Sequence, residues 1–518
     1  MSWKPEVEEI ERRRALAQEH GGAEAVARQR QKGRGTIRER ISALVDPGSL
    51  REQGPIAGHA EVDSAGRPGS FVPANYVLGL ARVDGRPCVV GGEDFTQRGG
   101  SPSPAGLRKS VHAEDLACQY RVPLVRFLEG GGGSVAGSGA GARRTPAAPP
   151  LLSKPRFQSI DRILALAPVA SAAMGPVAGL PAARLAASHF SVMTRGAQVL
   201  VAGPAVVERA LGERKTKEEL GGPAVHARSG VVDNVADDEP EACRMIARFL
   251  SYLPTNVHEL PPRLSSDDDP ERCEESLLSI VPRERRRVFH VRRLLERVLD
   301  RGTLFELTRG FGRSQVTAFA RLAGRPVGVL ANDSRFYAGA MTADGAQKVR
   351  RFVDLCDTFH LPVVSFVDEP GFMIGSEAER AATIRHGVAV LLAVQQSTVP
   401  WASVMVRKAY GVAAAAHFGA DGYVLAWPSA ESGALPIEGG VAVAFRREIE
   451  SAPDPDQRRR ELEEQLAGRR SPFPAAEAFA THDLIDPRRT RPLLCRWVDS
   501  LDAQLTAHLG PRRFTYRP

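Results

Sequence analysis

The chain carries the same series of sequence segments twice, and this repeat restricts the folds it can adopt. Residues 82–87 (Arg-Val-Asp-Gly-Arg-Pro) return as residues 321–326 (Arg-Leu-Ala-Gly-Arg-Pro), where 321 minus 82 gives an offset of 239. Three further pairs follow in the same order: 122–125 with 361–364, 175–179 with 407–411, and 200–204 with 424–428. Four ordered correspondences predict two homologous halves related by internal duplication.

Both halves alternate apolar runs with helical patterns. Apolar runs at residues 88–91 and 327–331 follow tight turns and predict strands. Residues 346–359 place Val349, Phe352, Val353 and Cys356 on one face of a helix. Residues 384–396 predict a second helix, and residues 115–120 a shorter helix in the first half. This alternation predicts an α/β fold with mixed layers.

The composition of one segment predicts the boundary between the halves. Residues 259–287 contain two adjacent prolines, an acidic run and a basic run, as a solvated linker does. We therefore predict domains at residues 1–260 and 285–518. Residues 1–45 are predicted to be one or two charged helices preceding the first domain. Residues 141–154 are predicted to be a surface loop near the first site.

Composition and motifs exclude several classes of function. The formal net charge is +8 over 518 residues; it indicates either a solvated surface or a polyphosphate ligand such as coenzyme A or a nucleotide. No run of aromatic residues alternates with Arg or Lys, so we expect no nucleic-acid partner. Motifs for a P-loop, a nucleophile elbow and a histidine metal site do not occur, and neither does a biotin-attachment loop. We expect no metal in this chain.

Targeting and cysteine patterns predict a soluble protein. The first residues lack the apolar stretch of a secretory signal, and the uncharged stretch 163–183 is interrupted by three prolines. Neither feature predicts a membrane span. The six cysteines are scattered and include no C-x-x-C pair, as expected for buried thiols in a reducing compartment. We therefore expect a cytoplasmic protein.

Glycines at the ends of apolar strands remain as candidates for chemistry. Residues 129–134 (Glu-Gly-Gly-Gly-Gly-Ser) and 175–179 lie in the first half, and residues 368–371 and 410–411 lie in the second. Such turns either only reverse the chain or present backbone N–H groups to an oxyanion. Because they occur in both halves, they could stabilise two oxyanions, one for each of two substrates.

At these residues the sequence resembles the carboxyltransferase (β) subunits of biotin-dependent acyl-CoA carboxylases, of the propionyl-CoA and methylcrotonyl-CoA type. The segments that carry the resemblance are 33–41, 44–49, 93–96 (Glu-Asp-Phe-Thr), 218–222, 366–372 (Phe-Val-Asp-Glu-Pro-Gly-Phe), 384–387, 407–411 (Arg-Lys-Ala-Tyr-Gly) and 426–428. The resemblance implies two tandem crotonase-like domains of the ββα superhelix type. It also implies a hexamer, either a homohexamer built as a trimer of dimers or a mixed hexamer.

The resemblance also implies a reaction and its partners. Acyl-CoA would bind the first half, and carboxybiotin on a separate carrier protein would bind the second. Carbon dioxide would pass to the α carbon, or the vinylogous γ carbon, of the acyl group through an enolate. A biotin carboxylase and a biotin carboxyl carrier would be partner subunits.

Specific residues take roles from the resemblance. Backbone N–H groups would hold the thioester oxygen and the biotin carbonyl, and other positions would contact the substrate or the CoA phosphates. The implied oxyanion residues are Gly179, Leu180, Gly411, Val412 and Ala413; the substrate-binding residues are Gly131, Gly132, Gly133, Tyr410 and Ala415; the CoA-binding residues are Arg34, Arg38 and Arg40.

The sequence departs from the family at these turns. The family's Asp-Ser-Gly-Gly-Ala-Arg is replaced by residues 129–134, Ala-Gly-Gly-Ala by residues 178–181 (Ala-Gly-Leu-Pro), and Tyr-Gly-Gly-Ala by residues 410–413 (Tyr-Gly-Val-Ala). Pro181 lacks an N–H group. Two alternatives therefore remain: a repurposed crotonase-fold enzyme that decarboxylates or transfers acyl groups without biotin, and a non-catalytic subunit of a mixed hexamer.

Overall fold

The chain folds into two compact units, which a computed structural model describes over residues 2–62, 68–132, 157–468, 471–513 and 516. The first unit comprises Met1–Glu259 together with Pro511–Pro518, and the second comprises Leu260–Gly510. The division falls at the start of the segment predicted as the boundary, and almost all of that segment belongs to the second unit. The assignment of the last residues to the first unit had no signal in the sequence.

The first unit begins with helices and continues with alternating strands and helices. Its elements are α1 (Lys4–Gln18), α2 (Ala23–Gln31), α3 (Ile37–Leu44), β1 (Arg51–Glu52), β2 (Gly58–Val62), β3 (Pro68–Pro73), β4 (Tyr76–Val83), β5 (Arg86–Glu93), α4 (Pro104–Tyr120), β6 (Leu124–Gly130), α5 (Gln158–Leu164), β7 (Val169–Ala178), α6 (Leu180–Ala186), β8 (Phe190–Thr194), β9 (Gln198–Leu200), α7 (Pro204–Leu211), α8 (Lys217–Gly221), α9 (Pro223–Ser229), β10 (Asn234–Ala236) and α10 (Glu239–Ser251).

The second unit repeats this order around its sheet. Its elements are α11 (Val291–Val298), β11 (Phe305–Leu307), β12 (Gln315–Leu322), β13 (Arg325–Asn332), α12 (Ala343–Thr358), β14 (Val363–Glu369), α13 (Ser376–Arg380), α14 (Thr383–Gln396), β15 (Trp401–Tyr410), β16 (Tyr423–Ala426), β17 (Glu431–Gly433), α15 (Ile437–Ala444), α16 (Arg446–Ser451), α17 (Pro455–Gly468), α18 (Phe473–Glu477), β18 (Asp483–Leu484), α19 (Thr490–Asp499) and α20 (Asp502–Ala507).

The two main sheets have the same topology. Each is eight-stranded, in the order β1-β4-β5-β6-β7-β8-β10 in the first unit and β11-β12-β13-β14-β15-β16-β18 in the second, with β9 on β7 and β17 on β15. The register shifts at the same place, between Leu128 and Gly130 in one sheet and between Val367 and Glu369 in the other. The predicted duplication and α/β fold are therefore confirmed.

Burial explains why the central strands are continuously apolar. The parallel strands β6 and β14 are buried along their whole length, as expected for parallel strands covered on both faces. Helix α12 buries Val349, Phe352, Val353 and Cys356, the predicted face. Its counterpart α4 has 17 residues, longer than the predicted 115–120, because the Ser103 hydroxyl caps its first turn.

The N-terminal segment forms three helices where one or two were predicted. The third, α3, begins with a capping box in which Thr36 and Glu39 satisfy each other's backbone N–H groups. No helix in the described part of the chain is long and apolar enough to cross a membrane. Residues 141–154, predicted as a surface loop, lie outside the described residues.

Candidate active site

The first candidate site lies where β7 ends and α6 begins. Gly179 stands between them with φ 65° and ψ −129°, a conformation that favours glycine. The first N–H groups of a helix have no partner within it, so this turn presents the N–H groups of Gly179 and Leu180. Pro181 supplies none. Two of the predicted donors are therefore placed together at one turn.

The loop after β6 packs against this turn. The Gly131 N–H donates to Gly99 O at 3.2 Å, and the Ser101 hydroxyl donates to Gly132 O at 2.8 Å. A Cβ on Gly132 would lie 3.0 Å from Ala178 O, so the approach requires glycine. The structure thus brings Gly132 to Gly179 and holds Gly131 on Gly99, whereas Gly133 lies outside the described residues.

Glu129, the last acid before this loop, is a buried anchor. Its carboxylate accepts hydrogen bonds from Gln29 Nε2 at 2.8 Å and Arg34 Nη1 at 3.1 Å, and it pairs with Arg40 Nη2 at 2.6 Å. Burial raises the pKa of Glu129, and the Arg40 guanidinium opposes that rise. A Cβ at Gly175 would lie 2.2 Å from Glu129 Oε1, so the missing side chain makes room for this carboxylate.

These contacts change the interpretation of the predicted CoA arginines. Arg40 is 2% exposed and bonds both Glu129 and Glu239, so a phosphate has no access to it. Arg38 pairs with Glu52 at 2.6 Å. The structure therefore does not support Arg40 as a CoA-binding residue, because its guanidinium pairs with Glu129 and Glu239 and holds α3 against the site loop. A helix whose arginines bind phosphate and a helix whose arginines pair with acids have the same sequence pattern.

A small pocket lies beside the first turn of α6. Leu180, Pro181, Arg184, Glu93, Gly100 and Ser110 are among the residues that line it. Arg184 donates to Glu114 at 2.8 Å and to the Ser110 hydroxyl at 2.8 Å. The fully buried Arg126 donates to the carbonyl oxygens of Arg184 and Ala187 at the end of α6. Burial lowers the pKa of Arg126 to about 10.

The second candidate site repeats the turn at the end of β15. Gly411 has φ 62° and ψ −162° and precedes a 3₁₀ helix, Val412–His417. The Gly411 N–H donates to Gly433 O at 3.0 Å, so the donor predicted there is already used by the sheet. The N–H groups of Val412 and Ala413 begin the helix and have no partner within it. Val412 is 63% exposed.

The other predicted residues of the second half have different positions. Tyr410 is 1% exposed, and its hydroxyl donates to Glu431 Oε2 at 2.7 Å. Arg285 bonds the same carboxylate at 2.7 Å. Tyr410 therefore holds the strand end, whereas Ala415 is exposed on the 3₁₀ helix beside Val412.

A buried ion pair supports the second turn. Arg407 Nη2 lies 2.7 Å from Asp368 Oδ2, and both side chains are buried. The Lys408 N–H also donates to Asp368 at 3.2 Å. Both residues lie in segments that resemble the family, and the sequence alone assigns neither of them a role. The sequence does show an acidic residue near the end of both β6 and β14. It gives no indication of which cation pairs with either acid.

The described residues also include side chains of the types that bind metal ions. No cluster of three or more His, Cys, Asp or Glu side chains suited to a metal ion occurs within the described residues. The six cysteines are free, and all except Cys273 are buried. The elements that converge on both turns are thus backbone N–H groups, glycines and buried ion pairs.

Two duplicated α/β units, each with a glycine turn at the end of the equivalent strand, define a two-domain protein with one candidate site in each unit. Comparison with known proteins identifies its family. The model of the carboxyl transferase domain family matches residues 28–512. The chain belongs to this family, which confirms the resemblance seen in the sequence.

Individual relatives cover almost the whole chain. It is 36% identical to the carboxyltransferase subunit of propionyl-CoA carboxylase from Haloferax mediterranei, over 95% of each chain. It is 31% identical to the alpha subunit of methylmalonyl-CoA decarboxylase from Veillonella parvula, over 94% of each. A transcarboxylase 12S crystal structure, a hexamer with methylmalonyl-CoA bound, matches with a TM-score of 0.85 at 30% identity, over 100% of this chain and 97% of that one.

Proposed function

We propose that this chain is the carboxyltransferase component of an acyl-CoA carboxylase, which moves CO₂ from carboxybiotin to an acyl-CoA. The observation that carries the proposal is the pair of glycine turns. Gly179 and Gly411 end the equivalent strands β7 and β15, with φ of 65° and 62°, and each opens a helix. Two equivalent turns with free N–H groups suit a reaction between two carbonyl-bearing substrates.

The first unit holds the acyl-CoA in this proposal. The N–H groups of Gly179 and Leu180 bind the thioester oxygen, and their stabilisation of that oxygen increases as the enolate forms. A donor of this kind contributes about 3–4 kcal/mol to the transition state. The Gly131–Gly132 loop packs against this turn through Gly132 and restricts its position. Arg34 and Arg38 are also ion-paired, but unlike Arg40 their side chains are partly exposed. These two arginines are the proposed phosphate contacts.

The second unit holds the carboxylated biotin. Val412 and Ala413 offer two adjacent N–H groups on an exposed turn, and Ala415 adds only a methyl group, so the residues fit a ureido carbonyl. When bound, carboxybiotin supplies the CO₂ and a ureido nitrogen that accepts the α proton. The chain's own residues bind and orient the carbonyl oxygen there. No side-chain base is required of them.

Partners follow from the same proposal. A biotin carboxylase and a biotin carboxyl carrier belong to other chains, and the assembly is a hexamer of this chain or a mixed hexamer. The related transcarboxylase 12S is described as a hexamer. We also infer a cytoplasmic location, since the six cysteines are unpaired and five are buried.

A second candidate is decarboxylation of the acyl-CoA without biotin. The relative named as a methylmalonyl-CoA decarboxylase subunit favours decarboxylation, and its name leaves the use of biotin open. Pro181, which removes an N–H group from the first turn, also sets this chain apart from the family's usual turn. Both candidates require the first site, and they differ in whether the second site acts.

Release of CO₂ from a panel of malonyl-, methylmalonyl- and longer carboxyacyl-CoAs distinguishes the two. The reverse reaction needs no partner chain, so the purified chain is assayed with and without free biotin. We expect release that requires biotin, with the panel revealing the preferred acyl group. Release that is indifferent to biotin would favour the decarboxylase. No release from any thioester would contradict both and leave the non-catalytic subunit.

A further inference from the structure

Glu93, at the end of β5, has an incomplete set of hydrogen bonds. The residue is 5% exposed and lines the pocket beside Leu180. The backbone N–H groups of Glu93 itself and of Glu129 act on its carboxyl group and lower its pKa against the effect of burial. Its Oε2 atom is buried and has no hydrogen-bond partner among the described residues. A buried oxygen of this kind costs about 1–3 kcal/mol unless something satisfies it.

The duplication provides a direct comparison for this position. Asn332 ends β13 at the repeat offset, and it pairs with Gln315 across the sheet as Glu93 pairs with Tyr76. Its Oδ1 accepts from the Asp368 N–H at 2.9 Å. Its Nδ2 donates to Gly339 O at 3.1 Å and to Glu369 Oε2 at 2.9 Å. Every polar atom of this side chain is satisfied.

Two of these partners have counterparts in the first unit, whereas Gly130 takes the place of Glu369 and brings no carboxylate. Glu129 matches Asp368 and bonds the Glu93 side chain from the same backbone atom. Gly100 matches Gly339, since each ends a 3₁₀ turn with positive φ. Where Asn332 has an NH₂ donor, Glu93 has a carboxyl oxygen, and a carbonyl oxygen can pair with it only if the carboxyl group carries a proton.

We propose that Glu93 is a positioning residue of the first site, whose protonated carboxyl group donates a hydrogen bond to the carbonyl oxygen of Gly100. The turn that contains Gly100 also provides Gly99 O and the Ser101 hydroxyl, which bond the Gly131–Gly132 loop. That loop contacts Gly179. Protonated Glu93 therefore keeps the acyl-CoA turn in place, an inference that rests on the proposed function.

The side chains around Glu93 include both charged and uncharged groups, and burial among them favours the protonated, neutral carboxyl group. Tyr76 on β4, Arg126 on β6, Arg184 on α6 and Glu114 on α4 belong to the same buried cluster. Burial raises the pKa of Glu93 above its usual 4.5. Two arginines and the backbone N–H groups of Glu93 and Glu129 oppose the rise without cancelling it. The contribution of the protonated form to stability is complete below the unfolded-state pKa and is lost as the pH rises through the folded-state pKa.

The test is the pH profile of biotin-dependent CO₂ release for the wild-type chain and Glu93→Gln. The glutamine amide donates at every pH, as Asn332 does in the second unit. We expect comparable rates at low pH, and a ratio of variant to wild type that rises by up to about tenfold per pH unit above the Glu93 pKa. Glu6→Gln, which changes an exposed carboxylate on α1, serves as the control and leaves the profile unchanged.

Three results would overturn the inference. The first is a constant ratio of the two rates at all pH values, the second is a variant that loses activity equally at every pH, and the third is an E93Q chain that does not fold. If the wild-type chain released no CO₂ at any pH, the proposed function would fail, yet thermal unfolding would still decide the inference. The unfolding midpoint of E93Q must then exceed that of the wild type increasingly as the pH rises.

Discussion

The two units have the same sheet but support their glycine turns with different ion pairs. In the first unit the acid is Glu129, and its cations come from Arg34 and Arg40, far earlier in the chain. In the second unit the acid is Asp368, and its cation is Arg407 on the adjacent strand β15. The residue at the place of Arg407 in the first unit is Gly175.

This difference shows that the two halves share the backbone turn. Each half pairs its buried carboxylate with arginines from different parts of the chain. The longer Glu129 side chain occupies the space that Gly175 leaves free, and the shorter Asp368 pairs with Arg407. A buried carboxylate needs a cation and hydrogen bonds wherever the chain can supply them.

The largest expected effect comes from removing the donor of the first turn. Leu180→Pro deletes one N–H group at the first position of α6, where proline is tolerated. We expect CO₂ release to fall by about 10²–10³-fold. Leu180→Ala keeps the N–H group and is the matched control, expected to retain most of the rate. Equal losses in both variants would show that the side chain matters and the N–H group does not.

The ion pairs should differ in how much stability each cation provides. Arg407→Ala leaves Asp368 buried without its cation and should lower the free energy of unfolding of the second unit by about 3–5 kcal/mol. Arg40→Ala leaves Glu129 with Arg34 and Gln29, and it leaves Glu239 partly exposed to solvent. We therefore expect a smaller loss, about 1–3 kcal/mol. Denaturant unfolding of both variants measures the difference. A larger loss for Arg40→Ala would reverse the comparison.

The space at Gly175 gives a test of the longer acid. In Gly175→Ala the new Cβ would lie 2.2 Å from Glu129 Oε1, and we expect a loss of about 1–3 kcal/mol in the free energy of unfolding. Gly196→Ala, which meets nothing within 4 Å, is the control and should change it by less than about 0.5 kcal/mol. Equal thermal shifts for the two variants would mean that Glu129 moves aside freely.

The smallest expected effect is the acid dependence of Asp333. Burial alone would raise the pKa of this carboxyl group, but hydrogen bonds from Arg335 and Arg292 outweigh burial and lower it. Its contribution to stability is therefore present above the unfolded-state pKa and is lost as the pH falls through the folded-state pKa. Asp333→Asn should lower the unfolding midpoint at neutral pH, and the difference should shrink towards low pH. A difference that is constant with pH would contradict this.

Much of the fold could be predicted from the sequence because duplication leaves patterns that need no structure to detect. The ordered repeats, the apolar face of residues 349–356 and the glycines at 179 and 411 gave the two halves, a helix and both turns. The roles of Arg40, Glu93 and Tyr410 could not be predicted, since each depends on a partner distant in the chain. The Gly411 donor was misassigned because the pairing of β15 with β17 was not visible in the sequence.

The central claim is that both turns act in one reaction, and the second turn offers the most direct measurement. Biotin-dependent CO₂ release from methylmalonyl-CoA is compared for the wild-type chain, Val412→Pro, which lacks one N–H donor, and Val412→Ala, which keeps it. The account predicts a loss of about 10²–10³-fold for V412P, with V412A close to the wild type. Equal rates for all three chains would contradict it, because the second turn would then have no part in the transfer.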